Sequence, residues 1–138
     1  MELRDYNYEE IEIGKTFGFE RVLSQEDIRS FSRLTGDLNP LHCDENYAKT
    51  TQFKGNIVHG MLAGSLFSTL VGMLCPGKKN LYLSQTLNFK KPIYPNSKLI
   101  VRGTIKQKID SLKMIIIKTE VIIEGEIIIN GEAQVKLI

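Results

Sequence analysis

The sequence predicts an α+β domain in which an antiparallel sheet wraps over one long apolar helix. Helical patterns occupy the first half of the chain and strand patterns the second half, an order typical of this class. One helical segment, between His59 and Cys75, is apolar almost throughout, as expected for a helix at the centre of a domain. The 138 residues contain no internal repeat or linker, so we assign residues 1–138 to a single domain.

Composition limits the classes of function. The contents of 42% hydrophobic and 25% charged residues are close to the average for soluble globular proteins. A net charge of +2 gives no basic footprint for nucleic acid. Two cysteines form no disulfide framework and no signal peptide is evident, so we expect a cytoplasmic protein. We expect no membrane contact, because the apolar run from Met61 to Leu74 is shorter than the ~20 residues that a bilayer requires.

Local signals predict the elements that precede the apolar helix. The first strand is predicted over residues 15–23, and Ser24 is predicted to cap the helix that follows. The apolar positions of this helix recur at helical spacing and are expected to face the core: Ile28, Phe31 and Leu34. Gly36 ends the helix, Pro40 prevents it from resuming, and Asp44 can cap a short helical turn.

The apolar helix is predicted to begin near His59-Gly60 and to end before Cys75-Pro76-Gly77. Every fourth residue along it is small, which lets another element or a ligand approach closely. These residues are Gly60, Gly64, Ser68 and Gly72. The rest of the chain is rich in Val, Ile, Leu and Thr and predicts strands over residues 81–89, 98–109, 113–123 and 126–137. We expect the last strand to continue through Asn130-Gly131 with a bulge there.

The run Gly36-Asp37-Leu38-Asn39-Pro40-Leu41-His42 is the strongest candidate for chemistry. Because Pro40 fixes its own φ and pushes Asn39 towards an extended conformation, the segment is a shaped loop. A carboxylate beside an imidazole offers one potential acid and one potential base. Asp37 and His42 are therefore predicted to transfer protons on a small bound substrate. On pattern alone, the alternative that Asp37 caps a turn and His42 is an ordinary buried residue stays open.

Gly60 is the second candidate. The first N–H groups of a helix lack intrahelical partners, and a residue without a side chain lets a substrate carbonyl approach them. This is what an oxyanion hole requires. In isolation the commoner interpretation is a glycine needed for tight packing, and the commoner interpretation of the adjacent His59 is a structural histidine.

A metal site is a further alternative. Residues of ligand type occur at four positions in this part of the chain: His42, Cys43, Asp44 and His59. Their spacing matches no zinc pattern, and the chain contains only two histidines. Neither Cys43 nor Cys75 has an activating neighbour in the sequence, so neither is predicted to be a nucleophile. We therefore predict no metal ion and no organic cofactor.

Three motifs occur in a fixed order: the run from Phe31 to His42 with Ala48 six residues further on, then Ile57 to Leu62, then Asn88 to Ile93. Together they resemble the MaoC-like, (R)-specific enoyl-CoA hydratases. The first motif is highly specific, and the likeness extends from about Tyr8 to Leu137. The resemblance implies a hot-dog fold, in which a curved antiparallel sheet wraps a long central helix, normally paired into a homodimer.

By this resemblance Asp37 and His42 are the acid–base residues, and the Gly60 main-chain N–H is the oxyanion donor. Asn39 corresponds to the loop-shaping asparagine, and Ser68 to a helix residue that faces the site. The implied reaction is reversible addition of water to a trans-2-enoyl-CoA, which gives the (R)-3-hydroxyacyl-CoA. Coenzyme A enters only as part of the acyl-CoA substrate.

Three further residues are predicted to bind substrate. Met61 adjoins Gly60, while Lys90 and Lys91 lie at a predicted strand end, where a lysine can attract the phosphates of coenzyme A. If the alternation of a strand holds, only one of the two lysines faces the ligand. Plain solvated lysines are the alternative.

Other functions on the same fold stay open. A hot-dog acyl thioesterase generally lacks the Gly-Asp-x-Asn-Pro-x-His loop, and a non-catalytic acyl-CoA-binding module needs no acid–base pair. A (3R)-hydroxyacyl-acyl-carrier-protein dehydratase performs the same chemistry on another carrier. The sequence leaves open the carrier, the acyl chain length, the pathway, and which of Asp37 and His42 is the acid. The long apolar strands after residue 98 are expected to leave an edge or face that a second copy covers.

Overall fold

In the computed structural model, which describes residues 1–138, six strands form one antiparallel sheet. They are β1 (Thr16–Val22), β2 (Asn80–Gln85), β3 (Asn88–Phe89), β4 (Lys98–Ile109), β5 (Met114–Ile123) and β6 (Glu126–Leu137). The order across the sheet is β1-β4-β5-β6-β2, and β3 also pairs with β6. The helices are α1 (Gln25–Thr35), α2 (Pro40–Cys43), α3 (Glu45–Thr50) and α4 (Gly60–Thr69), and α4 continues into a π-helical turn, Leu70–Leu74.

Helix α4 packs on the inner face of the sheet. Its Ala63 and Phe67 are at most 1% exposed and share one core with Val101 of β4 and Val121 of β5. Burying an apolar side chain of this size stabilises the fold by roughly 1.5–3 kcal/mol. This arrangement confirms the predicted hot-dog fold. None of the helices is long and apolar enough to cross a membrane.

Local signals account for the bounds of α1. The Ser24 side chain accepts the N–H of Asp27, whose carboxylate accepts the N–H of Ser24 at 2.8 Å. Gly36 ends the helix in the left-handed region, with φ of 80°, which glycine adopts without strain. The predicted apolar stripe is wrong at one position, because Leu34 is 85% exposed, whereas Ile28 is fully buried.

The predicted strands 98–109 and 126–137 are observed with these bounds. The predicted strand 81–89 is interrupted at Thr86 and Leu87, although the N–H of Thr86 still donates to the carbonyl oxygen of Glu132 in β6. A Cβ at Gly131 would lie only 1.8 Å from the carbonyl oxygen of Thr86. The lack of a side chain at Gly131 therefore lets the two backbones approach closely. The predicted bulge at this position is wrong, because the register between β5 and β6 shifts at Ile128 instead.

Candidate active site

The loop after α1 holds the Asp37 carboxylate in a defined direction. The Thr35 hydroxyl donates to the Phe31 carbonyl and accepts the N–H of Asp37 at 3.3 Å. The N–H of Asn39 donates to Asp37 Oδ1 at 3.2 Å, which leaves Oδ2 for other contacts. The side chain is half exposed, so a small molecule can reach it.

Helix α2 presents His42. Asn39 caps this helix by accepting the N–H of Leu41 at 3.0 Å, and Pro40 occupies the first helical position. Nδ1 of His42 lies 2.7 Å from the carbonyl oxygen of Ile57. Because a carbonyl can only accept, Nδ1 carries the proton. In the neutral ring Nε2 therefore keeps the lone pair that a general base requires.

His59 is the residue that the sequence analysis did not assign to the site. It is 2% exposed, and its ring stacks on that of His42 with centroids 3.8 Å apart. Its Nε2 lies 3.8 Å from Oδ2 of Asp37 and 3.2 Å from the hydroxyl of Ser32. Burial, and next the neighbouring His42, lower the pKa of His59. The only sequence signal was its position next to Gly60, because its partners are distant along the chain.

The arrangement fits a metal ion poorly. Asp37, His42 and His59 each place one ligand atom within 4.8 Å of the others. However, the two imidazole rings are stacked with planes inclined by only 27°, so their lone pairs lie in two separate, nearly parallel planes, which disfavours convergence on one ion. Asp44, a member of the alternative ligand set, instead caps α3 by accepting the N–H of Tyr47.

A cavity of about 450 Å³ adjoins the site. His42 and Gly60 line it, together with an apolar wall that includes Phe53, Ile57, Phe89 and Ile93. Gly60 is the first residue of α4, so its N–H has no acceptor within the helix. A Cβ at this position would lie 2.9 Å from the ring of Phe89. The absence of a side chain at Gly60 thus keeps this part of the cavity open.

The other predicted binding residues divide into two groups. Met61, Lys90 and Lys91 all line the cavity. The condition for only one lysine to face the cavity is not met, because β3 ends at Phe89 and strand alternation does not extend to either lysine.

Ser68 and Asn39 lie elsewhere. Ser68, two turns along α4 from Gly60, lines a second cavity of about 490 Å³ with Phe31 and Leu87, and Met61 borders both cavities. The prediction that Ser68 faces the site is therefore not met within one chain. Asn39 shapes the loop but lines neither cavity.

The fold and the site together define a hot-dog domain in which Asp37, His42 and His59 lie together near the N-terminal end of the central helix. The model of the MaoC like domain family matches residues 9–126. The chain therefore belongs to the MaoC-like family.

Two solved structures show the same fold over nearly the whole chain. An (R)-hydratase from A. caviae, described as involved in PHA biosynthesis, superposes with a TM-score of 0.90 at 34% identity, covering 94% of this chain and 98% of that one. An R-hydratase from Pseudomonas aeruginosa gives a TM-score of 0.93 at 33% identity, covering 98% and 87%.

The curated relatives are named for action either on coenzyme A thioesters or on acyl carrier protein. An (R)-specific enoyl-CoA hydratase of Rhodospirillum rubrum is 34% identical over 81% of this chain and 78% of its own length. The matches to a 3-hydroxybutyryl-CoA dehydratase of Methylorubrum extorquens and to the Aeromonas caviae (R)-specific enoyl-CoA hydratase span 59% and 63% of those proteins. A mitochondrial 3-hydroxyacyl-[acyl-carrier-protein] dehydratase of Arabidopsis thaliana is 34% identical over 65% of this chain and 53% of its own length.

Proposed function

We propose that the chain is an (R)-specific enoyl-CoA hydratase, a hydro-lyase that adds water reversibly to trans-2-enoyl-CoA to give (R)-3-hydroxyacyl-CoA. The observation that carries the proposal is that Asp37 lies within 4.8 Å of His42, and that His42 lines a cavity together with Gly60, the first residue of α4. The names of the relatives in the same family support this activity.

The proposed reaction begins with one water molecule held between Asp37 and His42. A proton passes from the water to Nε2 of His42, the water oxygen bonds to C3, and the C2–C3 π electrons move towards the thioester carbonyl. The negative charge on that oxygen is stabilised by the N–H of Gly60 and the dipole of α4. C2 then takes a proton from Asp37 or His42, on the face where the hydroxyl was added. This step returns both side chains to their starting protonation states.

We propose that this reaction needs no metal ion and no organic cofactor. Two titratable side chains and a main-chain donor supply the proton transfers and the charge stabilisation. Coenzyme A takes part only as the carrier of the acyl group.

The carrier is proposed to be coenzyme A. Its phosphates require local positive charge, because the net charge of the whole chain is only +2. Lys90 and Lys91 supply this charge at the cavity. A dehydratase acting on acyl carrier protein is the second candidate, supported by the name of the Arabidopsis relative.

We also propose that the chain forms a homodimer. Large apolar side chains are exposed on the elements that surround the second cavity: Leu34 (85%), Leu38 (66%), Met61 (58%), Leu81 (50%) and Leu83 (47%). Strand β2 lies at an edge of the sheet, so its outer backbone groups also lack a partner strand. A second copy seated here would cover these side chains and close the cavity that contains Ser68.

The test is an assay of the purified, chelator-treated protein with crotonyl-CoA and longer trans-2-enoyl-CoAs. We expect loss of enoyl absorbance and, by chiral analysis, the (R)-3-hydroxyacyl product. Release of free coenzyme A thiol without hydration would indicate a thioesterase, and binding without turnover would indicate a binding module. Faster turnover of enoyl-acyl carrier protein would favour the second candidate. Activity that is lost with the chelator and restored by zinc would contradict the metal-free mechanism.

A further inference from the structure

His59 lies next to both proposed acid–base groups and, like Asp37, does not line the cavity itself. One face of its ring stacks on His42, and the ring of Phe31 lies 4.9 Å away from it, tilted by 59°. Its edge faces Asp37, with Nε2 3.4 Å from the main-chain oxygen and 3.8 Å from Oδ2. Any effect of His59 on a bound substrate must therefore pass through Asp37 or His42.

The surroundings of the ring identify the nitrogen that carries its proton. The main-chain oxygen and Oδ2 of Asp37, the two Asp37 oxygens near Nε2, are both acceptors, and the Ser32 hydroxyl can accept as well. Nδ1 is buried and has no hydrogen-bond partner. A proton on Nε2 can be donated to the main-chain oxygen of Asp37 or to the Ser32 hydroxyl, whereas a proton on Nδ1 would leave a buried N–H unsatisfied. The Nε2–H tautomer is therefore favoured.

We propose that His59 is a positioning residue for the proposed hydration: its neutral Nε2–H holds the main chain at Asp37, and its ring holds the imidazole of His42 against a flat surface. The expected effect of His59 on kcat rests on the proposed function. The titratable groups that face the ring are Asp37 from the loop and His42 from α2, with Cys43 of α2 reached through Ser32. Burial keeps His59 neutral while its neighbours exchange protons.

A purely structural histidine is the competing explanation. The ring is enclosed by Phe31 and His42, so a phenylalanine of similar shape would fill the same space without an unsatisfied Nδ1. The contribution that distinguishes histidine from phenylalanine is the donor on Nε2. Two substitutions separate these roles: His59→Phe keeps a stacking ring without a donor, and His59→Gln keeps a donor near the Nε2 position without a ring.

The first experiment is nitrogen NMR of the imidazoles. The chain contains only two histidines, so each is assigned by comparing the wild type with the His59→Gln and His42→Gln variants. We expect His59 to show the neutral Nε2–H tautomer throughout the pH range in which the enzyme is active. We also expect the His42 resonances to shift in His59→Phe. A His59 ring protonated on Nδ1, or one that becomes charged within that range, would overturn the proposal.

The second experiment is steady-state kinetics of the same variants with crotonyl-CoA. We expect His59→Phe to lower kcat by about 10- to 100-fold with little change in KM, the size of effect expected when a catalytic group is misplaced by up to ~1 Å. His59→Gln should recover part of this loss. The matched control is Ile105→Val, a substitution at a residue 1% exposed that packs with Val71 and Ile117 in a core apart from the site, which should lower stability without lowering kcat.

Wild-type kcat in a folded His59→Phe variant would reject the positioning role. If the wild type lacks hydratase activity, the proposed function fails. The NMR experiment then decides the local inference, because unchanged His42 resonances in His59→Phe would reject it without any kinetics.

Discussion

A carboxylate oxygen of Asp37 and a ring nitrogen of His42 lie within 4.8 Å of each other. One water molecule about 2.8 Å from each group can span this separation. The hydrogen bond from Nδ1 of His42 to Ile57 leaves Nε2 as the nitrogen that can accept a proton from that water.

We predict that Asp37→Asn and His42→Gln each lower turnover of enoyl-CoA by at least ~100-fold, because each removes one proton-transfer group. Circular dichroism and thermal unfolding should show little change, since Asp37 is half exposed and His42 is only partly buried. The matched control is Asp44→Asn, which makes the same chemical change at the cap of α3. It should leave turnover near the wild-type value. Near-normal turnover in either test variant would remove that residue from the mechanism.

Gly60→Ala should lower kcat/KM by at least ~10-fold, because an added methyl group meets Phe89 and narrows the approach to the N–H. A Cβ there lies 2.9 Å from two atoms of a ring that is itself 49% exposed, so the ring can turn aside and the protein should still fold. Adding Phe89→Leu should restore part of the activity. Gly72→Ala is the control on the same helical segment, where a Cβ meets nothing within 4 Å. Full activity of Gly60→Ala would exclude a close approach of substrate to this residue.

The two cavity lysines are predicted to differ. Lys91 already pairs with Glu126 at 2.6 Å, whereas Lys90 forms no ion pair within the chain. Lys90→Ala should therefore raise KM for enoyl-CoA by up to about 5-fold, the size of one exposed charge pair of about 1 kcal/mol. Lys91→Ala should raise it less, and kcat should stay unchanged for both variants.

Added salt and a truncated substrate test whether the effects of the lysine substitutions on KM arise from attraction to the phosphates of coenzyme A. The effect on KM should shrink as salt is added and vanish for a pantetheine thioester that lacks the nucleotide phosphates. An unchanged KM in the Lys90→Ala/Lys91→Ala double variant would remove both residues from the phosphate site.

Light scattering at micromolar concentration should give the mass of a homodimer. Leu81→Lys/Leu83→Lys should shift it towards the monomer, because both side chains are about half exposed on the edge strand β2. Leu112→Lys, which places the same charge at a residue 52% exposed in the β4–β5 connection, should leave the dimer intact. A stable wild-type monomer would contradict this assembly.

The lowered pKa of His59 predicts how stability depends on pH. Burial is the main cause, and the unfolded chain regains the ordinary histidine value of 6.5. Below that value the unfolded chain binds a proton that the folded protein does not, so the free energy of unfolding falls as the pH falls. This loss continues down to the folded pKa of His59. Urea unfolding of the wild type and His59→Gln between neutral and acidic pH should show a shallower dependence in the variant. Parallel plots of the free energy of unfolding against pH for the two proteins would contradict a lowered pKa of His59.

Much of the fold could be predicted because its signals are local. Ser24 and Gly36 fix the ends of α1 through contacts within four residues, and stretches rich in Val, Ile and Leu mark β4 and β6. The break after β2 could not be predicted, because it depends on the approach of Thr86 to Gly131 on another strand. The exposure of Leu34 was also missed, since helical spacing marks an apolar stripe without showing how far the neighbouring elements cover it.

The same distinction applies to the candidate site. Asp37 and His42 were identified because a short loop with proline carries both. The role of His59 depends on a ring stack across 17 residues and on Asp37, 22 residues away, so the local sequence gave only its position beside Gly60. The two cavities arise from elements far apart in sequence, so the sequence could not show that Gly60 lines the first and Ser68 the second.

The residues just after β2 are separate from the loop that carries the proposed proton-transfer groups, so ligand selectivity and chemistry depend on different parts of the chain. Leu87 approaches Gly64 and Phe89 approaches Gly60, so these two side chains set the width of both cavities along α4. They lie more than 40 residues after the loop that carries Asp37 and His42. Substitutions at positions 87 and 89 can therefore reshape what the protein accommodates while the proton-transfer loop stays unaltered, so the domain can diversify its ligands in evolution without rebuilding its reactive centre.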